Sequence, residues 1–275
     1  MLPLPLPWPF EREYMQLALV AGLVVGACAP LMGTFLVHKR LSLMGDGVGH
    51  VAFAGLAAGL LAGVWPIWTA LAAAVLGAVA IEWLRSRGRA TGDLALAVLF
   101  YAGIAGGVVL NGLAGSLGAG TLTYLFGSIL TVEVADAWTV TLLGAGIVAA
   151  VAVTWRALFA LLLDEEASRV AGLPVDGLNL LLAVLTAVTV VVGMRVVGVL
   201  LVAALMVLPV GAAQRLARSF RATLVWASAF GALSAVVGLF AARHWALAPG
   251  GTIVLVAVAA FLAATALAPS RSLSP

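Results

Sequence analysis

Two side chains in this sequence are placed to do chemistry that their surroundings make expensive. Asp46 and His50 lie in Ser42-Leu-Met-Gly-Asp-Gly-Val-Gly-His-Val-Ala-Phe-Ala-Gly55, four residues apart. On a helix that spacing stacks them on one face, one turn apart. A carboxylate oxygen and an imidazole nitrogen so arranged can share one divalent cation, at ligand distances of about 2.0–2.2 Å. His50 follows Arg40 by ten residues, which puts it roughly 15 Å along a continuous helix. That is about mid-bilayer, where an Asp costs roughly 2.5–3.5 kcal/mol on insertion scales. Two readings stay open on these residues alone: a metal site, or a hydrogen-bonded polar pair that only fixes packing. A filled metal site needs three or four ligands, so others must come from another helix, a partner chain or water.

The elements that must position this pair are membrane helices. Of the 275 residues, 64% are hydrophobic and 9% charged, against about 25% charged in a soluble domain. That leaves too little polar surface for a soluble enzyme. Apolar stretches of spanning length fall at 15–37, 44–63, 66–84, 93–113, 135–158, 177–193, 196–212, 222–242 and 250–268. They predict an all-α polytopic membrane protein of eight or nine helices, the smaller count applying if one segment fails to cross. The chain reads as one membrane domain over 1–275, with tails at 1–14 and 269–275. The run 177–212 is broken at Gly193-Met194-Arg195, either as a tight hairpin or as a kinked pair of half-helices. The segment 114–134 differs: Ala114–Gly120 reads as a flexible loop, and Tyr124–Leu130 is too short to span and reads as interfacial or re-entrant.

The basic residues set the expected orientation. With the N-terminus outside, Lys39, Arg40, Arg85, Arg87, Arg89, Arg156, Arg169, Arg215, Arg218, Arg221 and Arg271 fall in the cytoplasm. Only Arg12, Arg195 and Arg243 then lie outside. The C-terminus is inside for an odd number of crossings. The N-terminal Met-Leu-Pro-Leu-Pro-Leu-Pro run lacks a charged region and a cleavage site, so it reads as a stiff tail rather than a signal peptide. Most acids sit where they can reach an interface: Glu82 and Asp93 beside the Arg85–Arg89 loop, Asp164, Glu165, Glu166 and Asp176 in a cytoplasmic loop, Glu133 and Asp136 outside the fifth span. Arg195, at the outer break of its span, is expected to snorkel or else to cap carbonyls there. His38 reads as a solvated flank, and His244 belongs to an external loop. Cys28 is the single cysteine, which excludes an internal disulfide.

The one lysine, Lys39, is followed by Arg40, so no GxxxxGK[ST] phosphate loop exists and any ATP hydrolysis belongs to another subunit. Neither an HExxH nor a GxSxG motif is present, which argues against an intramembrane hydrolase. The basic residues are spread over loops, so nucleic acid is not an expected partner; the lipid bilayer is.

Four segments, in order along the chain, resemble the permease subunits of bacterial zinc/manganese ABC importers. Arg40-Leu-Ser-Leu-Met-Gly-Asp-Gly-Val-Gly-His50 is similar to the family's R-x-S-x-x-G-D-x-x-x-H segment. Tyr124-Leu-Phe-Gly-Ser-Ile-Leu130 resembles its Y-L-F-G-x-L/I-L element. The stretch Val197–Ala213 resembles V-G-x-L-L…A-L-L-x-x-P-A-A-x-A, and Ala248-Pro-Gly-Gly-Thr-Ile-Val-Leu255 resembles P-S/A-G-x-x-I-V-L.

The resemblance implies a plasma-membrane dimer, with a second copy or a homologue, enclosing one path. Two cytoplasmic ATP-binding subunits would drive it and an extracytoplasmic metal-binding protein would supply it. It implies Asp46 and His50 as a transient metal site, with no permanently bound cofactor. It also implies that Gln214, Arg215 and Arg218 belong to the loop that docks on the ATPase. Many zinc members carry a histidine some eight residues after the acid that begins the fourth span. That acid is Asp93 here, a third ligand candidate, and Tyr101 takes the histidine's approximate place. The Arg195-to-Phe220 segment looks more like zinc members, so zinc is favoured over manganese as the transported ion. Two rivals are an ion-coupled secondary transporter, which would need further deep acids and internal repeats, and a non-transporting scaffold subunit.

Overall fold

A computed structural model describes residues 7–87, 92–113, 124–128 and 132–267. The Ala114–Gly120 loop, Thr121, Thr123 and the tail 269–275 lie outside them, as do the side chains of Asp93 and Leu200. The described residues form helices and no strands. In chain order these are α1 Glu13–His38, α2 Met44–Ala62, α3 Pro66–Ser86, α4 Gly92–Leu113, α5 Val134–Leu163, α6 Glu165–Val170, α7 Val175–Met194, α8 Val199–Leu216, α9 Phe220–Trp245 and α10 Pro249–Leu267.

Eight of them are long and apolar enough to cross a membrane. The ninth expected span is α8, which is shorter and carries Pro209 inside. The break at Gly193–Arg195 is a hairpin: a Cβ on Gly193 would come within 2.7 Å of Val202 Cγ2, so the start of α8 folds back on the end of α7. Helix α5 runs five residues beyond its expected end at 158.

These helices are apolar all round, so burial sorts them better than amphipathic pattern does. In α7, 72% of the spanning window is buried, against 22% in α5. The inner layer is α1, α2, α7 and α8. Helices α3 and α4 flank α2 on one side, and α9 and α10 flank α1 and α8 on the other. The glycines of α2, which let neighbouring backbones approach closely, are divided among its neighbours: Gly45 and Gly49 meet α8, Gly47 meets α4, and Gly55 and Gly59 meet α3.

The α1–α2 turn interrupts the helix expected from Arg40: α2 begins at Met44, so His50 lies about 9 Å along it rather than roughly 15 Å. Arg40 stands in the left-handed region at φ 58°. Its N–H donates to Val37 O at 3.1 Å, and Leu41 N–H donates to Leu36 O at 2.8 Å. This is the double hydrogen bond that closes a helix end, with arginine at the position glycine usually takes.

Candidate functional site

Helices α2 and α4 lie parallel: Gly47 packs at Leu96 and Leu99, Gly103 at His50 and Val51, and Gly107 at Phe53. Gly103 is required by this approach, since a Cβ there would lie 2.7 Å from the His50 carbonyl carbon and the Val51 nitrogen. On its other face α2 packs against α8, with Gly49 at Val199 and Gly45 at Ala203 and Met206. The helix carrying the candidate pair is therefore held from both sides by close backbone contact.

The structure brings Asp46 and His50 together as their spacing predicts. His50 Nε2 lies 3.8 Å from Asp46 Oδ1, with side chains 14% and 33% exposed respectively. That is too long for a hydrogen bond, so this is not a pair closed on itself. Two donors around a tetrahedral ion at 2.0–2.2 Å sit about 3.3–3.6 Å apart, close to the gap observed.

Asp46 opens into a cavity of about 330 Å³ shared with Leu43, Leu96, Ala97, Phe100 and Tyr101. One turn along, the His50 ring meets Phe100 edge to face, with centroids 4.5 Å apart. Tyr101 is 69% exposed at the cavity's edge. Phe100 was not singled out by sequence; only the parallel register of α2 and α4 brings it over His50. Asp93 starts that same α4, and its side chain lies outside the described residues. Among the described residues no group of three His, Cys, Asp or Glu side chains forms.

The other histidines stand elsewhere. His38 Nδ1 donates to Thr34 O at 2.7 Å, and its ring meets Phe220 at 4.9 Å. His244 sits among Trp8, Phe240 and Trp245. Gln214 and Arg215 end α8, Arg218 lies in the link to α9, and all three are exposed.

Arg195 does not snorkel, and Asp136 does not stand outside its span. Asp136 lies in the first turn of α5, buried, and Arg195 grips it with both arms of the guanidinium: Nε donates to Oδ1 at 3.0 Å and Nη2 to Oδ2 at 2.5 Å. Nη1 also donates to Tyr124 Oη at 3.3 Å, and Glu133 N–H donates to Asp136 Oδ2 at 3.0 Å. Burial explains the difference: a planar fork against a carboxylate satisfies both groups in place. The ion pair fixes the chain just before α8. Gly198 there has φ 93°, and a Cβ on it would fall 2.5 Å from the Phe126 carbonyl carbon. The described part of the short middle element thus lies against residues 196–198, with Gly127 close to Val196 and Val197 and Gly250, at the start of α10, close to Phe126 and Val197.

The ABC 3 transport family pattern matches residues 11–268, nearly the whole of this bundle. The chain belongs to the ABC 3 transport family. A probable metal transport system membrane protein of Treponema pallidum is 33% identical over 94% of this chain and 96% of its own length. The manganese transport system membrane protein MntC of Listeria monocytogenes is 29% identical over 96% and 94%. PsaBC from Streptococcus pneumoniae, solved in complex with Fab, superposes with a TM-score of 0.84 at 30% identity, covering 94% of this chain and 93% of that one. The family is one of membrane transport proteins, in agreement with the permease resemblance read from four short segments.

Proposed function

We propose that this chain is the membrane-spanning subunit of an ATP-driven importer of divalent first-row metal ions in a bacterial plasma membrane. The observation that carries the proposal is the Asp46–His50 pair: one turn apart, not hydrogen-bonded to each other, and open through Asp46 to a cavity on the α4 side. A second copy, or a homologue, completes the path and supplies further ligands, with water and Asp93 filling the remaining positions. An extracytoplasmic metal-binding protein delivers the ion. Asp46 and His50 replace part of its hydration shell, and weak binding lets it leave again. Two cytoplasmic ATP-binding subunits dock at the exposed Gln214, Arg215 and Arg218 loop and switch access from one face to the other. The end of the bundle carrying Lys39, Arg85 and Arg169 is then cytoplasmic, by the positive-inside rule.

A carboxylate suits manganese and an imidazole suits zinc, so the pair itself accepts either. The preference for zinc rested on the likeness of the Arg195-to-Phe220 segment to zinc members, and the relatives found do not support it. Relatives that carry manganese in their names make manganese the first ion to test. A secondary transporter would need additional free acids in the membrane. The two buried carboxylates among the described residues, Glu82 and Asp136, are each paired with an arginine.

The test is ATP-driven uptake of ⁵⁴Mn and ⁶⁵Zn into proteoliposomes holding this chain with its ATPase and binding protein. ATP-dependent uptake that collapses in His50→Ala, with the complex still assembled, is the expected result. Uptake of either ion that is unchanged in that variant would remove the site from the proposal. An intact complex that moves neither ion would remove the importer reading.

A further inference from the structure

A second polar cavity, of about 410 Å³, lies between α5 and α9, away from Asp46. Trp155, Arg156 and Phe159 line it from α5, and Ser219, Phe220 and Arg221 from the start of α9. No acid lines it, and neither arginine enters an ion pair among the described residues. The Arg221 guanidinium lies over the Trp155 ring at 5.2 Å from its centroid. Trp155 stacks on Phe159 at 5.5 Å, and Phe159 meets Phe220 at 5.3 Å. An aromatic wall thus carries two cations whose charges are unmatched.

The depth of this wall decides what it faces. Arg156 follows Asp136 by twenty residues on one continuous helix, which is about 30 Å of rise and the thickness of a hydrocarbon core. If Asp136 marks one edge of the core, Trp155 and Arg156 mark the other, where tryptophan and arginine both settle. The arginines head apolar stripes on the same helix faces. Val153, three residues before Arg156, is 85% exposed, and Val225, four residues after Arg221, is 70% exposed. A cationic pocket with an open apolar track leading into the membrane matches an amphiphile with an anionic head.

We propose that this cavity binds the phosphate of an anionic phospholipid, with Arg156 and Arg221 pairing its oxygens and the acyl chains lying along Val153 and Val225. The site is on the cytoplasmic leaflet, a placement that rests on the orientation given under Proposed function. It joins the lipid-facing helix α5 to the start of α9, directly after the exposed Arg215–Arg218 loop.

The experiment uses the full chain purified from detergent-solubilised vesicles of phosphatidylglycerol and phosphatidylcholine in equal amounts, with retained lipid counted by mass spectrometry. Wild type should retain phosphatidylglycerol over phosphatidylcholine by about thirtyfold, the product of two interfacial arginines. Arg156→Gln with Arg221→Gln should bring the ratio near one, while the Arg→Lys pair keeps most of it, which separates lost charge from lost fold. Millimolar glycerol phosphate should not release the lipid. Equal retention of the two lipids by wild type overturns the proposal, and so does a preference that survives both Gln substitutions. Release by glycerol phosphate would show a free-phosphate site instead. Metal uptake is not read in this experiment, so the importer proposal and this one fail separately.

Discussion

Two acid–base pairs sit within the apolar part of this molecule, and they are built in opposite ways. Asp136 and Arg195 are 9% and 18% exposed in their side chains, and the carboxylate accepts both guanidinium arms and the Glu133 N–H. Asp46 and His50 are 3.8 Å apart, the acid is one-third exposed, and neither side chain has a hydrogen-bond partner among the described residues. A charge withdrawn from water is tolerated when its lone pairs are filled in place. The first pair meets that condition within the chain. The second is held in geometry with its donors unfilled, as the cargo site proposed above requires. Cost alone does not mark an intramembrane charge as functional; slack in its bonding does.

Breaking the closed pair should produce the largest change in stability. Asp136→Ala or Arg195→Ala leaves a buried partner uncompensated, and should lower unfolding free energy by about 3–5 kcal/mol. Replacing both, as Asp136→Leu with Arg195→Met, should recover most of that loss because no charge is stranded. Denaturant titration of the purified protein in detergent reads both. A double variant as unstable as the single ones would mean that the pair contributes specific geometry, such as the seating of residues 196–198, rather than charge balance.

The open pair should behave in reverse. Asp46→Asn and His50→Gln should leave the unfolding midpoint within about 1 kcal/mol of wild type, since no hydrogen bond is removed. Metal uptake should fall at least tenfold, about 1.4 kcal/mol or more of cargo interaction. Uptake and unfolding measured on the same preparations would sharpen the contrast. A large loss of stability with uptake intact would make Asp46–His50 a packing pair like the other.

The two pairs also differ in how far the sequence discloses them. Asp46 and His50 lie on one helix, so the 3.6-residue period alone places them side by side, and the glycines between them announce close neighbours. Asp136 and Arg195 are 59 residues apart and each falls at the end of an apolar run, where a charge that reaches water looks the same as one that meets a partner. The helix count was legible to within one because hydropathy measures length. The one doubtful span, α8, is the one whose apolar run merges with α7 across a four-residue hairpin. Phe100 over His50 depends on α2 and α4 running parallel in a fixed register, and no periodicity within α4 carries that information.

Gly103 tests the mounting of the open pair without touching its donors. A methyl group there must push α4 from the His50 backbone, because the nearest atoms, 2.7 Å away, are main chain and cannot swing aside. Gly103→Ala should cost about 1–3 kcal/mol by overpacking and lower uptake although both Asp46 and His50 are present. Gly112, whose added Cβ would meet nothing within 4 Å, is the control on the same helix and should change neither measurement.

The smallest effect is expected where a pair lies between the two extremes. At the end of the bundle, Lys39 Nζ donates to Glu165 Oε2 at 3.4 Å and to Asn179 Oδ1, and Asn179 Nδ2 donates to Glu165 Oε1 at 2.9 Å. Lys39 is 8% exposed in its side chain and Glu165 41%. The partners respond unequally: burial pulls the Lys39 ammonium below its usual pKa despite Glu165. For Glu165, burial pushes upward, but the Asn179 hydrogen bond and the Lys39 and Arg85 charges outweigh it and hold the carboxyl below its ordinary value. A depressed carboxyl contributes stability above the unfolded pKa of about 4.3 and loses it as pH falls through the folded value. Glu165→Gln should therefore reduce the melting temperature slightly at neutral pH and flatten its decline as pH falls below about 4.3. Solvent screening at this exposed carboxylate keeps the effect well under that of Asp136→Ala. If Glu165→Gln proved as costly as Asp136→Ala, exposure of the acid would not be what separates a structural pair from an open one, and the ordering of all three pairs would have to be rebuilt on geometry alone.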